Sequence, residues 1–159
     1  MTEFTTGKPP YGTIPHDGDL ALAICNGLRP RVAKGTPKRY IDLVNKCLDA
    51  NPQDRPSSKD LYKIFEDWEL KLKDKNSIIF NEFSKADEIF LPSTEIELHT
   101  EAIYTSRHMN FTNLPNSVNS IRVQIENPEV SDSDLINRLL CNAIKEQDQE
   151  LDEICIDDK

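Results

Sequence analysis

The sequence predicts a mainly α-helical chain followed by a largely irregular, acidic tail that carries one further amphipathic helix. Three observations predict it. Apolar residues recur at helical spacing in four separate stretches of the first ninety residues, proline and glycine punctuate those stretches, and the charge is unevenly distributed. Residues 1–75 hold 13 basic and 11 acidic side chains, 76–125 hold 3 and 6, and 126–159 hold 3 and 11, so the net charge of −9 belongs chiefly to the last third. An apolar content of 37% is low for 159 residues that would all have to line a core.

Each element has its own signals. Gly7, Pro9 and Pro10 end any helix begun by the first residues, because glycine supplies a left-handed cap and proline cannot continue the ladder. Met1 therefore falls in mid-helix, an odd start for a natural domain, since a stub this short cannot nucleate alone. Leu20, Ala21, Ala23, Ile24 and Leu28 predict a short helix over 18–26, stopped at Gly27 and Pro30. Pro37 opens the next, with Tyr40, Ile41, Val44, Cys47 and Leu48 on one face and Asn51-Pro52 closing it. Ser57 and Asp60 form a capping-box pattern, and Leu61, Ile64, Phe65, Trp68 and Leu72 make a stripe of the kind that usually lies in a core. Ile79, Phe83, Ala86 and Phe90 predict a further helix within 76–90.

From 91 to 130 no period is sustained, which predicts loop or disorder, with 96–104 and 120–126 able to form only transient strands. Ser131 or Ser133 then caps a helix with Leu135, Ile136, Leu139, Leu140, Ala143 and Ile144 on one face, followed by the acidic stretch 146–158.

Several function classes are excluded by what these residues are. The acidic tail argues against nucleic acid or an anionic membrane as partner, and no apolar run reaches the ~18 residues a membrane span needs. The start lacks the pattern of a secretory signal, so a cytoplasmic chain is expected and Asn110-Phe111-Thr112 is not expected to be glycosylated. Cys25, Cys47, Cys141 and Cys155 are widely spaced and read as packed thiols. His16, His99 and His108 show no metal spacing and read as loop or surface residues. Asp17 and Asp19 flank a helix start, where a carboxylate is favoured without any catalytic duty. The loop 29–39 holds five basic residues in eleven with no aromatic to stack on a base, and reads as a solvated connection. The tyrosine that directly follows Pro10 argues against a proline-motif ligand.

Two stretches carry a resemblance. Thr6-Gly7-Lys8-Pro9-Pro10-Tyr11 at a helix exit, and Cys47-Leu48-Asp49-Ala50-Asn51-Pro52-Gln53-Asp54-Arg55-Pro56-Ser57-Ser58 between two helices, resemble the end of a eukaryotic protein-kinase domain of the tyrosine-kinase-like group. The resemblance implies that 1–75 is a partial large lobe, that 76–90 is a linking helix, that 91–130 is loop or disordered, and that 131–159 is helix and tail. It also marks Gly7, Pro10, Tyr11, Asn51, Pro52, Arg55 and Pro56 as structural motif residues and none as catalytic, cofactor-binding or metal-binding.

In that family the arginine pairs with the glutamate of an Ala-Pro-Glu motif, which these residues do not contain. Arg55 is thus expected to aim inward and then to turn to solvent or borrow Asp49, Asp54 or Glu3. The Gly-rich loop, nucleotide-binding lysine, His-Arg-Asp loop and Asp-Phe-Gly motif are also missing from the sequence. The expectation is a chain inactive by itself, using neither ATP nor magnesium unless upstream residues supply their sites, weakly stable on its own, and able to meet protein partners through exposed helix faces. The alternative is a non-catalytic interaction module that uses the front helices and the last one.

Overall fold

A computed structural model describes residues 1–89, 97–119 and 130–141. The chain divides into two compact units. The described part of the first comprises 1–10 and 29–89, and that of the second comprises 11–28, 97–119 and 130–141. All regular elements longer than a single bridge are helical among the described residues, in keeping with the mainly α expectation.

The first unit begins with α1 (Thr2–Thr6), which ends at Gly7 in the left-handed region, φ 66°, with its N–H donating to Glu3 O at 2.8 Å. Its next helix in the chain, α3 (Lys38–Cys47), starts after Pro37 and buries Leu43 and Val44. Val44, 1% exposed, packs with Val32, and Met1, Tyr40, Ile41 and Leu48 close over that pair. The helix ends at Cys47, short of the expected Asn51-Pro52 stop, because the chain bends at Leu48 and Asn51-Pro52 instead opens a single 3-10 turn, Pro52–Asp54.

Ser57 then caps α4 (Ser58–Leu72) in a complete capping box with Asp60. The Asp60 carboxyl is held below its ordinary value by the Ser57 hydroxyl and backbone hydrogen bonds. A tight reversal leads into α5 (Ile78–Ile89), where the Ser77 hydroxyl donates to Lys71 O at 2.8 Å and accepts from Phe80 N–H at 3.0 Å, tying the end of one helix to the start of the next.

The second unit contains α2 (Gly18–Cys25) and α6, described over 132–141. Asp17, not Asp19, caps α2, accepting from Leu20 N–H at 3.1 Å. Gly27 stops it at φ 96°, and the following N–H of Leu28 donates to Ala23 O. Ser131 caps α6 and exchanges hydrogen bonds with Asp134, which decides between the two serines suggested by sequence. Leu135 and Ile136 from α6 join Ile14, Leu20, Ala23 and Leu28 in a sealed aliphatic core. Ala143, Ile144 and the acidic stretch 146–158 lie outside the described residues.

Residues 97–119 form no strand, so the suggested strand at 96–104 is corrected over its described part; the segment lacks a neighbouring strand and is held by side-chain and turn hydrogen bonds. The suggestion at 120–126 lies outside the described residues.

Candidate functional site

The α3–turn–α4 corner gathers the densest set of motif residues. Asn51 adopts an extended conformation and its side chain accepts from Gln53 N–H at 3.1 Å while donating to Asp54 Oδ2 at 2.8 Å. Pro52 occupies the first position of the 3-10 turn, where a missing N–H leaves nothing unsatisfied. Pro56 directly precedes the Ser57 cap and favours the extended backbone of Arg55 before it, φ −76° and ψ 136°.

Arg55 turns to solvent, one of the two outcomes expected for it. Its side chain does not enter the bundle: the residue is exposed, with Nε donating to Asp49 O at 2.7 Å and one terminal nitrogen to Ala50 O at 3.5 Å. Carbonyls just past the end of α3 lie where the helix field favours a cation, so backbone oxygens take the place of the expected carboxylate.

Behind the corner, Trp68 joins three helices. Its ring centroid lies 6.3 Å from that of Tyr40 on α3, 5.5 Å from Phe65 on α4 in an edge-to-face arrangement, and 5.6 Å from Phe83 on α5. Tyr40 also donates its hydroxyl to Met1 O at 3.1 Å, and burial, with the Cys47 thiol beside it, pushes its pKa up. Burial likewise raises Cys47, against the lowering influence of the chain's amino group.

The expected core stripe of α4 is corrected in one respect. The aromatics meet, but α4 buries no residue fully; Phe65 remains 41% exposed and Leu72 36%. Among the described residues, the aromatic partners of that stripe come from α3 and α5.

Most of the basic loop is engaged internally. Arg29 Nε donates to Leu48 O at 2.9 Å, and Lys38 pairs with Asp42 at 2.6 Å. The Arg39 guanidinium reaches Glu82 Oε2 on α5 at 2.6 Å, while its backbone N–H meets Oε1 at 3.2 Å. Glu82 thereby caps the open start of α3 from another helix. Burial works to raise its pKa, yet the side-chain and backbone hydrogen bonds and charge of Arg39 outweigh this and hold it below the usual carboxylate value. An open, mostly apolar groove of about 460 Å³ lies beside this pair, lined by Gly35, Pro37, Ile78, Asn81, Glu82, Lys85, Ala86 and Ile89. These residues include no Ser, Thr, Cys or His, and their one carboxylate is already paired.

The remaining motif residues sit at the helix exit. Gly7 makes the left-handed stop already described, and Tyr11 itself adopts φ 58°, an uncommon conformation for a bulky residue. Pro10 belongs to the first unit and Tyr11 to the second. Among the described residues no group of three or more His, Cys, Asp or Glu side chains could hold a metal, and no helix is long and apolar enough to cross a membrane. Cys25, Cys47 and Cys141 are free thiols; Cys141 is exposed, which corrects its expected packing, because it falls off the buried face of α6.

Comparison with known proteins places the chain beside one class, protein kinases, over part of their length. It is 35% identical over 71 residues to the probable serine/threonine-protein kinase drkB of Dictyostelium discoideum, covering 45% of this chain and 10% of that protein. It is 32% identical over 81 residues to the mast/stem cell growth factor receptor kita of Danio rerio, covering 51% and 8%. A longer stretch of 122 residues is 32% identical to a protein kinase and PP2C-like domain-containing protein of Oryza sativa subsp. japonica, covering 65% and 18%.

The chain thus spans about a tenth of the first two relatives, and its likeness is to a partial kinase segment. No family model and no solved structure matches.

Proposed function

We propose that this chain forms closing helices of a protein-kinase-like large lobe and contributes no group that binds ATP or transfers phosphate. The carrying observation is the Asn51–Ser57 corner followed by the Trp68 junction of three helices, in a chain similar to short segments of both serine/threonine and receptor kinases.

In this reading the corner fixes the crossing of α3 and α4. Ser57 and Asp60 set the start of α4, Asn51 and Pro52 set the turn, and Arg55 locks the carbonyls at the end of α3. The whole protein's phosphotransfer from ATP to protein hydroxyls would depend on a nucleotide loop and a catalytic loop, neither of which occurs in these 159 residues. Sequencing the transcript 5′ of the Met1 codon tests this. An in-frame segment encoding His-Arg-Asp and Asp-Phe-Gly loops supports the reading; a stop codon directly upstream in every transcript contradicts it.

A non-catalytic interaction module is favoured by one observation, the exposure of Tyr62, Phe65 and Leu70 on α4. The reading then rests on α4, since α6 turns Leu135 and Ile136 into the core of its own unit. Loss of a captured protein on Phe65→Glu would support it, and unchanged capture would oppose it.

A further inference from the structure

Within the second unit, the turn around Tyr11–His16 is bound to the segment 97–107 by hydrogen bonds that converge on one imidazole. The N–H of His99 donates to Gly12 O at 2.8 Å, and that of His16 to Glu101 O at 3.0 Å. Arg107 donates to His16 O at 2.8 Å, and the His16 and Tyr104 rings meet edge to face at 4.9 Å.

The ring itself sits between two acceptors. His16 Nδ1 lies 3.1 Å from Ile103 O, and Nε2 lies 3.3 Å from Tyr11 O. A carbonyl oxygen only accepts, and a neutral imidazole carries one N–H, so one of these two approaches sets lone pair against lone pair. The imidazolium donates to both.

We infer that His16 is a proton-dependent strap, in which uptake of a proton lets Nδ1 hold Ile103 O of the segment 97–107 while Nε2 holds Tyr11 O of its own turn. The inference does not rest on the kinase-like reading.

Three charged residues bound this junction: Arg107 donates to the His16 carbonyl, Glu101 accepts from His16 N–H through its main-chain oxygen, and the adjacent Asp17 uses its carboxylate to cap α2. From α6, Asp132 accepts from Thr13 at 3.3 Å and adds a carboxylate to the same turn. His99 works with the opposite sign: its Nδ1 accepts from Glu101 N–H at 3.1 Å and must be unprotonated to do so. That bond is local to one turn, whereas a neutral His16 can donate either across to Ile103 O or within its own turn to Tyr11 O, and only the imidazolium donates to both. Protonation therefore tightens the strap on balance.

The test uses the full chain, with His99→Ala as background so that the opposing histidine is absent. Acidification from about pH 8 to about pH 5.5 spans the interval in which a histidine side chain changes charge. Over it, the ring nitrogens of His16 should both become protonated in nitrogen-detected NMR. Hydrogen-exchange protection of the amides at 16 and 99, corrected for intrinsic rates, should rise about fivefold, the scale of one net hydrogen bond. His16→Phe keeps a ring against Tyr104 and should abolish the rise. Should that variant fail to fold, His16→Gln serves in its place, with protection flat across the same interval. A ring nitrogen still bare at the acid end, or an undiminished rise in a folded His16 variant, overturns the inference.

Discussion

The two units solve the burial problem differently. The second seals six aliphatic side chains, drawn from α2, α6 and their flanking turns, into one core. The first joins its helices through a row of aromatics and ion pairs, and leaves α4 without one fully buried residue. A closed aliphatic cluster stabilises by removing apolar area from water on all sides, whereas the Trp68 junction leaves Phe65 and Tyr62 in contact with solvent. The difference teaches that sequence periodicity identifies an apolar face without saying what covers it. The incompletely covered face lies in the unit that carries the Asn51–Ser57 motif.

That contrast can be broken by substitution. The largest effect is expected for Leu20→Ala, which opens a cavity in the sealed core and should cost about 3 to 4 kcal/mol in denaturant melts, with lost exchange protection at the N–H groups of α2. Trp68→Ala should cost less, about 2 to 3 kcal/mol, because part of its surface is already wet, and the loss should register in α3, α4 and α5. If Trp68→Ala proves the more damaging, the ranking of the two cores is wrong.

Glu82→Gln sharpens the picture of the first unit. Removing the carboxylate from Arg39 should cost about 1 to 2 kcal/mol near neutral pH, allowing for its partial exposure. Since the folded pKa of Glu82 lies below its unfolded value, its contribution is present above the ordinary carboxylate pKa and is lost as pH falls through the folded value. Wild type and variant should therefore converge in stability in strong acid. A gap that persists there would show that the glutamate acts by packing. The smallest effect is that of Ser57→Ala, about 1 kcal/mol, confined to fraying at the start of α4 by amide exchange.

Local chemistry was legible and distant pairing was not. The capping box at Ser57–Asp60, the left-handed Gly7 stop and the apolar spacing of α2 to α6 all act within a few residues, so sequence alone locates them, and it narrows the cap of α6 to Ser131 or Ser133. The Arg39–Glu82 clasp joins residues 43 apart, and no local pattern predicts it. The turn of Arg55 to solvent was expected but its main-chain partners were not, because a guanidinium can be satisfied by carbonyls as well as by a carboxylate, and the geometry at the end of α3 decides between them. His16 gave no signal because its ring partners are main-chain oxygens, which every residue carries. The kinase resemblance was legible for the opposite reason, since proline, asparagine and glycine are confined to few backbone conformations and their order describes a shape.

Calorimetric titration of the purified chain with MgATP, paired with a radiolabelled phosphate-transfer assay on a generic protein acceptor, tests the central claim most directly. A segment that supplies helices without catalytic groups should give no saturable heat and no transfer above a protein-free blank. Saturable binding at one site, or turnover that survives repurification, would contradict it.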